Sequence, residues 1–530
     1  MRFLSLFQWA GKFVSAIAVF LTMALTASGQ DAPKTLPQIQ VSAPGNTIQD
    51  LQDQMREIKS LLAEMRVEML RSRSESLELR QELEATRRQL AAAGLPAKDA
   101  SSVAERVTSP GSAPAHSGQG NEQPLAKPEE EQQLLSAKLE ELHQTKVESG
   151  SKYPVRLSGI VLLNLFSNHG VVDNLDFPVL AVTDRPIDTR GSFGGSLRQS
   201  LLSLEVFGPE VRGAKIGAEI QFDFAGGSPN TLGGVTLGLP RLRTGVVRMT
   251  WPSTTLVAGQ DAPFFSPLSP SSIATLALPA FSYTGNLWSW IPQVRLEHRL
   301  DLTNKSSVLL QGGILDSVSG ESPSSQSMRT PQAGEASRQP AYASRIAWSR
   351  HAFGREITLG FGGYYARQDW GFHRNVDAWA GTSDWTVPLS ARWELTGEFY
   401  RGRAVGGLGG GMGRSAVFSG PVADQATRVL GLNSMGGWAQ VKFRQSGKLE
   451  WNGAFGQDNP LASDLRIFPL SQQTYFDPSL ARNRSSLLNF IYRPRSDLLF
   501  SVEYRHLRTF SLPGNYEAAD HINMSLGVLF

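Results

Sequence analysis

The sequence predicts an all-β transmembrane barrel of about 16 antiparallel strands preceded by an α-helical coiled coil. Three observations carry this reading: an export signal at the amino terminus, apolar residues spaced three and four apart from Asn46 to Leu90, and a period of two that begins at Tyr153 and holds to the end.

The signal comes first. Arg2 and Lys12 precede an apolar stretch from Phe13 to Leu25, and the small residues Ala27-Ser28-Gly29 follow. This is the layout of a secretory signal peptide over residues 1–29, and the apolar stretch is short for a membrane anchor. No other stretch is long and apolar enough to span a membrane as a helix. After export the chain is therefore soluble outside the inner membrane or crosses an outer membrane with strands.

Between residues 46 and 92, Ile48, Leu51, Met55, Ile58, Leu62, Met65, Met69, Leu79, Leu83 and Leu90 form a seam, with Ser72, Ser76 and Thr86 in its remaining positions. A 3.5-residue period flanked by Glu and Arg is a coiled-coil signature, and one such helix cannot bury its own seam. The seam leaves dimer and trimer both open. Residues 93–128, rich in Pro, Gly, Ser and Ala, read as a flexible linker. Leu134, Leu135, Leu139 and Leu142 then suggest a short helix over residues 129–148.

The barrel is expected over residues 153–530. In KIGAEIQFDF, Ile216, Ala218, Ile220, Phe222 and Phe224 alternate with Lys215, Gly217, Glu219, Gln221 and Asp223. IPQVRLEHRL sets Gln293, Arg295, Glu297 and Arg299 against Val294, Leu296 and Leu300, with His298 as the exception on the apolar face. LSARWELTGEF and LLFSVEYRH repeat the pattern, and HINMSLGVLF ends on an apolar face closed by Phe530. A soluble sandwich also alternates. The number of such strands, the polar loops such as residues 317–340, and Trp251, Trp288, Trp290, Trp370 and Trp385 near expected strand ends favour a membrane barrel with aromatic girdles.

Composition narrows the function. The 530 residues include 51 Gly, 30 Pro and no Cys, with 41% hydrophobic and 19% charged residues, which is too polar for a bundle of membrane helices. Without cysteine there is no disulfide, thiolate nucleophile, or Cys zinc or iron–sulfur site. A net charge of +3 gives no argument for nucleic acid. The His residues are scattered and neither HExxH nor GxSxG occurs, so no catalytic residue, metal or cofactor is expected. GGLGGG at 406–411 lacks the Lys-Ser/Thr of a phosphate loop and reads as a flexible hairpin loop.

A barrel of this size encloses an aqueous channel. From Tyr153 onward the chain has 30 Arg but 4 Lys, against 29 acidic residues. Guanidinium groups bind carboxylates and phosphates in a bidentate fork, so inward-facing arginines favour anions. Alternation nominates Arg295, Arg299, Arg392, Lys442, Arg444 and Arg505 as pore-lining. Arg241 and Arg243 are less settled, because RLRTGVVRM can be phased either way. The alternative is that these arginines pair with Glu297, Glu394 and Glu503 in ladders that hold the wall. The Pro- and Ser-rich stretch from Gly259 to Ser272 is expected to fold into the pore as a constriction loop, with Gln260, Asp261, Phe264 and Phe265 as its candidates, because two adjacent phenylalanines need a dry place to sit.

The export signal, coiled coil, linker and barrel, together with WSWIPQVRLEHRL, ARWELTGEFYRGRAVGGLGGG, LNSMGGWAQVKF and the terminal LGVLF, resemble the DcaP-like porins, trimeric outer-membrane proteins distantly related to the phosphate-selective porins. The resemblance implies a 16-stranded barrel, a homotrimer in outer-membrane lipid, a periplasmic coiled coil, and passive uptake of small, mostly anionic solutes such as dicarboxylates. It also implies that Arg295 and Arg392 are pore-wall positions. The sequence lacks a tract of regularly spaced lysines, so strict phosphate specificity is not expected. A different reading makes the barrel an anchor from which the coiled coil reaches toward the cell wall.

Overall fold

A computed structural model of the chain describes residues 153–227, 238–321, 329–470, 479–512 and 514–530. The signal peptide, coiled coil, linker and short helix expected over 1–29, 46–92, 93–128 and 129–148 lie outside the described residues.

Alternation becomes a wall in strand after strand. In β1 (Val155–His169), Leu157, Val161, Leu163 and Leu165 are exposed, whereas Ile160, Leu162, Asn164, Phe166 and Asn168 are buried. The chain continues through β2 (Gly191–Ser196), β3 (Leu201–Val211), β4 (Ala214–Asp223), β5 (Arg241–Thr250), β6 (Thr254–Asp261), β7 (Ile291–Thr303), β8 (Ser306–Leu315), β9 (Ala341–Ala352), β10 (Arg355–Asp369), β11 (Asn375–Pro388) and β12 (Trp393–Arg403). A small hairpin of β13 (Ala416–Phe418) and β14 (Val429–Gly431) interrupts the series. Then follow β15 (Asn433–Arg444), β16 (Leu449–Pro460), β17 (Leu480–Arg495), β18 (Leu498–Ser511) and β19 (Tyr516–Leu529).

Apart from the β13–β14 hairpin, these strands form one closed antiparallel sheet. β2 and β3 lie end to end on β1, so the wall has 16 staves. It closes where β19 pairs with β1 from Ile160↔Leu529 to His169↔Asp520. The terminal Phe530 exchanges two backbone hydrogen bonds with Gly159 at 3.0 and 3.1 Å. Connections alternate between tight turns, such as residues 212–213, 304–305 and 496–497, and longer loops, such as residues 170–190, 262–290 and 404–432. That asymmetry is typical of outer-membrane barrels, with the tight turns on the periplasmic side.

Exposed Leu, Val, Ile and Phe cover the outer face, including Leu296, Ile346, Phe361, Phe455, Leu488 and Leu526. A continuous apolar exterior around a polar interior inverts the arrangement of a soluble protein and fits contact with lipid tails. Near the tight-turn end the outward rings of Trp393 and Phe443 (4.6 Å), Trp451 and Phe490 (5.3 Å), and Phe490 and Phe500 (5.8 Å) form part of an aromatic girdle. Of the tryptophans expected in such girdles, Trp385 lies on an outward-facing strand position and Trp251 in a tight turn. The other three differ. Trp288 and Trp290 belong to the loop between β6 and β7, and Trp370 is buried in a loop against Phe418. Proximity to a strand end does not distinguish a residue facing lipid from one on a loop that turns inward.

Candidate pore constriction

The loop after β6, residues 262–290 and here termed L3, folds inside the barrel and is almost wholly buried. Phe264 and Phe265 pack on each other edge to face at 5.9 Å, and Phe265 stacks on the wall residue Tyr364 at 5.3 Å. They belong to an apolar cluster with Leu287, Ile291, Tyr400, Leu408 and Phe418. The inner wall there presents small side chains (Ala343, Ala366, Ala378, Ala380), which leaves room for the two rings. Gln260 and Asp261 are instead the last residues of β6, so they stand in the wall at the root of L3.

Polar side chains at this level run around the inner wall in two halves. From β4 to β11 they bond mainly to one another, with Thr382 also donating to the Phe265 carbonyl of L3 and Arg241 to the Ala277 carbonyl. Arg248 reaches Glu219 (3.4 Å) and Asp261 (3.9 Å), Arg295 joins Asp261 (3.0 Å) to Glu297 (2.6 Å), Gln311 donates to Glu297 (3.1 Å) and accepts from Arg345 (3.0 Å), and Arg345 grips Asp384 at 2.9 and 2.6 Å. From β12 onward the wall bonds to L3. Glu398 accepts from the Ser266 hydroxyl (2.8 Å) and the Leu268 N–H (2.7 Å), and Gln440 accepts from the Ser271 N–H (2.6 Å). Asn489 donates to the Ser271 carbonyl (2.8 Å), and Glu503 accepts from the Ser272 hydroxyl (2.6 Å).

The break between β2 and β3 completes this hold. Over residues 197–200 the stave leaves the ladder, and the Ser200 hydroxyl accepts the Leu162 N–H in place of a backbone partner (3.0 Å). The freed Gln199 donates to the Ala274 carbonyl (2.8 Å) and accepts from the Ala277 N–H (3.1 Å). On β15, Gly285 of L3 approaches backbone to backbone with φ +100°, and a Cβ there would lie 2.4 Å from the Gly437 nitrogen. Gly285→Val is therefore expected to lift this end of L3 from the wall and make single-channel current noisier, with the barrel still folded by its heat-shift on gels. A quiet, unchanged current would refute the tight seat.

The nominated cations fall in different places. Arg295 and Arg505 are inward and buried, and Arg505 pairs with Glu503 (2.7 Å) while reaching Thr275 of L3 (3.3 Å). Lys442 and Arg444 approach Glu394 at 3.9 and 3.0 Å. Arg243 is buried, 3.6 Å from Asp223 and 4.8 Å over the Trp290 ring. Arg299 sits at the tight-turn rim, paired with Asp301 at 2.9 Å. Arg392 is not on a strand: it lies exposed in the turn before β12, because that strand begins one residue later at Trp393. Glu297, Glu394 and Glu503 thus carry the ladder pairings weighed from the sequence.

The double phasing of RLRTGVVRM has a structural cause. Gln221 pairs with Thr244 but Phe222 pairs with Leu242, so Arg243 is an extra, bulged residue. Arg243 and Thr244 are consequently both buried. Sequence reasoning missed Arg345 and Asp384, although Arg345 is in phase with the inward Ala341, Ala343 and Ala347. GGLGGG is not a free hairpin. It forms tight turns (Gly406–Leu408, Gly411–Gly413) held over L3, where the Leu408 carbonyl accepts from the Trp288 N–H (3.0 Å).

No protein-family model matches the sequence, and no curated protein matches it. Among solved structures, the DcaP outer-membrane channel of Acinetobacter baumannii aligns with 73% of this chain and 99% of its own, at 16% identity and a TM-score of 0.54. The chain has the fold of DcaP. OprB of Pseudomonas putida (10% identity, TM-score 0.44, 71% of this chain and 94% of that one) and an anion-selective porin from Comamonas acidovorans (9%, 0.42, 72% and 100%) align more loosely. The DcaP likeness covers 73% of this chain, and its low identity confines it to the fold.

Proposed function

We propose that the protein is a DcaP-like outer-membrane porin, a homotrimeric diffusion channel for small solutes with a preference for anions such as dicarboxylates. The observation that carries this reading is L3, seated inside a closed barrel against a polar inner wall, the place from which a loop would narrow a channel. The long loops face outward and the tight turns and coiled coil face the periplasm.

The anion preference draws support from the tight-turn mouth. There Lys442 (3.9 Å), Arg444 (3.0 Å) and Arg355 (3.4 Å) converge on the single carboxylate of Glu394. Three cations around one anion bias the local potential toward incoming anions.

Planar-bilayer recording under a KCl gradient tests the proposal. Conductance in three equal steps with a reversal potential on the anion side is the expected result, and Lys442→Gln with Arg444→Gln shifts that potential toward cations. A cation-selective channel would refute the anion preference. The hydrogen bonds that tie L3 to opposite sides of the wall favour a second reading, a structural anchor. Folded protein that leaves the bilayer silent would establish that reading instead.

A further inference from the structure

Among the described residues, the outer wall carries a cluster of three arginines at the long-loop end of β17 and β18. Arg482 and Arg484 on β17 and Arg508 on β18 alternate with the buried Asn483, Ser485, Leu507 and Thr509, so they share the face turned away from the lumen. All three lie within a few residues of the long-loop rim. Toward the tight-turn end the same face becomes apolar, with Leu488 and Met524 exposed.

Arg484 and Arg508 stand directly opposite each other in the ladder. Like charges so placed repel, and guanidinium groups at a lipid boundary need an anionic partner. Among the described residues the protein supplies none. Arg482 donates to Asn459 (2.9 Å) and Arg484 to Gln457 (2.6 Å), both neutral amides, while the buried Nε of Arg508 has no hydrogen-bond partner. The carboxylate of Asp520, on the same face, is taken by Tyr504 and His506, each at 2.7 Å. Aromatic rings hold the forks flat: Arg482 and Arg484 lie 5.6 and 5.2 Å over Phe510, and Arg508 lies 4.7 Å over Tyr516.

Planar, uncompensated guanidinium groups on an aromatic platform, level with the membrane boundary, match a phosphate on a lipid headgroup. We propose that Arg482, Arg484 and Arg508 form a binding site for a phosphate-bearing lipid of the leaflet on the long-loop side. The orientation in this inference rests on the outer-membrane reading above. Charge complementarity and continuity with the lipid-facing belt favour a lipid over a second copy of the chain.

The test is native mass spectrometry of the full-length protein in detergent, titrated with a bisphosphorylated glucosamine lipid, its dephosphorylated form, or sodium phosphate. The expected result is that removing the phosphates weakens lipid binding at least about tenfold, and that sodium phosphate does not displace the lipid. Arg482→Gln, Arg484→Gln and Arg508→Gln together weaken it to the same extent, whereas the corresponding Lys substitutions weaken it less, since they keep the charge but lose the fork. Equal binding of both lipids by the unmodified protein overturns the site whatever the variants do, as does displacement by inorganic phosphate. A Gln variant that dissociates into monomers yet still binds lipid would reassign the patch to contacts between copies. Protein that conducts in bilayers but ignores the lipid phosphates would refute this site and leave the channel standing.

Discussion

On the proposal that L3 is the constriction, deleting Phe264–Pro279 is expected to raise single-channel conductance by about twofold or more. Asp261 and Ile291 are paired neighbours at the ends of β6 and β7, so the shortened loop still spans the gap between these strands. The wall from β4 to β11 keeps its own hydrogen bonds and ion pairs. Glu398, Gln440, Asn489 and Glu503, together with Gln199, Arg241 and Thr382, exchange L3 for water. Their hydrogen bonds are replaced rather than lost, which costs far less than leaving buried groups unpaired. Folded barrels with unchanged conductance would show that L3 does not limit the current.

Replacing Arg345 with Met destabilises the barrel by about 3–5 kcal/mol, because it leaves the buried Asp384 carboxylate without its bidentate partner. Both side chains are almost fully buried, at 5% and 2% exposure, and hydrogen bonds hold the guanidinium from both sides, to Asp384 and to Gln311. Adding Asp384→Leu removes the stranded charge, so the double variant recovers most of the loss. Urea unfolding followed by tryptophan fluorescence, in a double-mutant cycle, measures both steps. A single-variant cost below about 1 kcal/mol would place the pair in water, where ion pairs contribute little.

These two predictions rest on features that differed in how far they could be read from the sequence. The strands were legible because barrel burial obeys a period of two: Arg295, Glu297, Arg505 and Glu503 all occupy the inward positions that their apolar neighbours imply. Arg392 shows the limit of that rule, since alternation continues in phase beyond the point where a strand gives way to a turn. Phe264 and Phe265 signalled an inward loop because they are adjacent, large and flanked by proline and serine. Their contact with Tyr364 could not be read, because it joins residues about a hundred positions apart in the chain.

The Trp residues make the same point. Trp288 and Trp290 look like girdle residues by composition, yet Trp290 lies under Arg241 and Arg243 at 5.1 and 4.8 Å. Whether an aromatic ring meets lipid or a guanidinium depends on where its loop goes, and neighbouring residues do not encode that.

What the sequence determined by itself is the barrel: that the chain alternates as strands from Tyr153 onward, which face of those strands is apolar, and that arginine far outnumbers lysine there. Side-chain alternation along an extended strand is local, so a single chain segment carries it. What only the tertiary structure decided is the partner of each inward charge. Arg345 meets Asp384 across β10, Glu398 holds the backbone of L3 instead of a cation, and the stave breaks at Gln199 to fasten the loop. Those pairings arise from register and barrel closure, which bring distant strands to one level and so determine whether an arginine lines a passage or braces a wall.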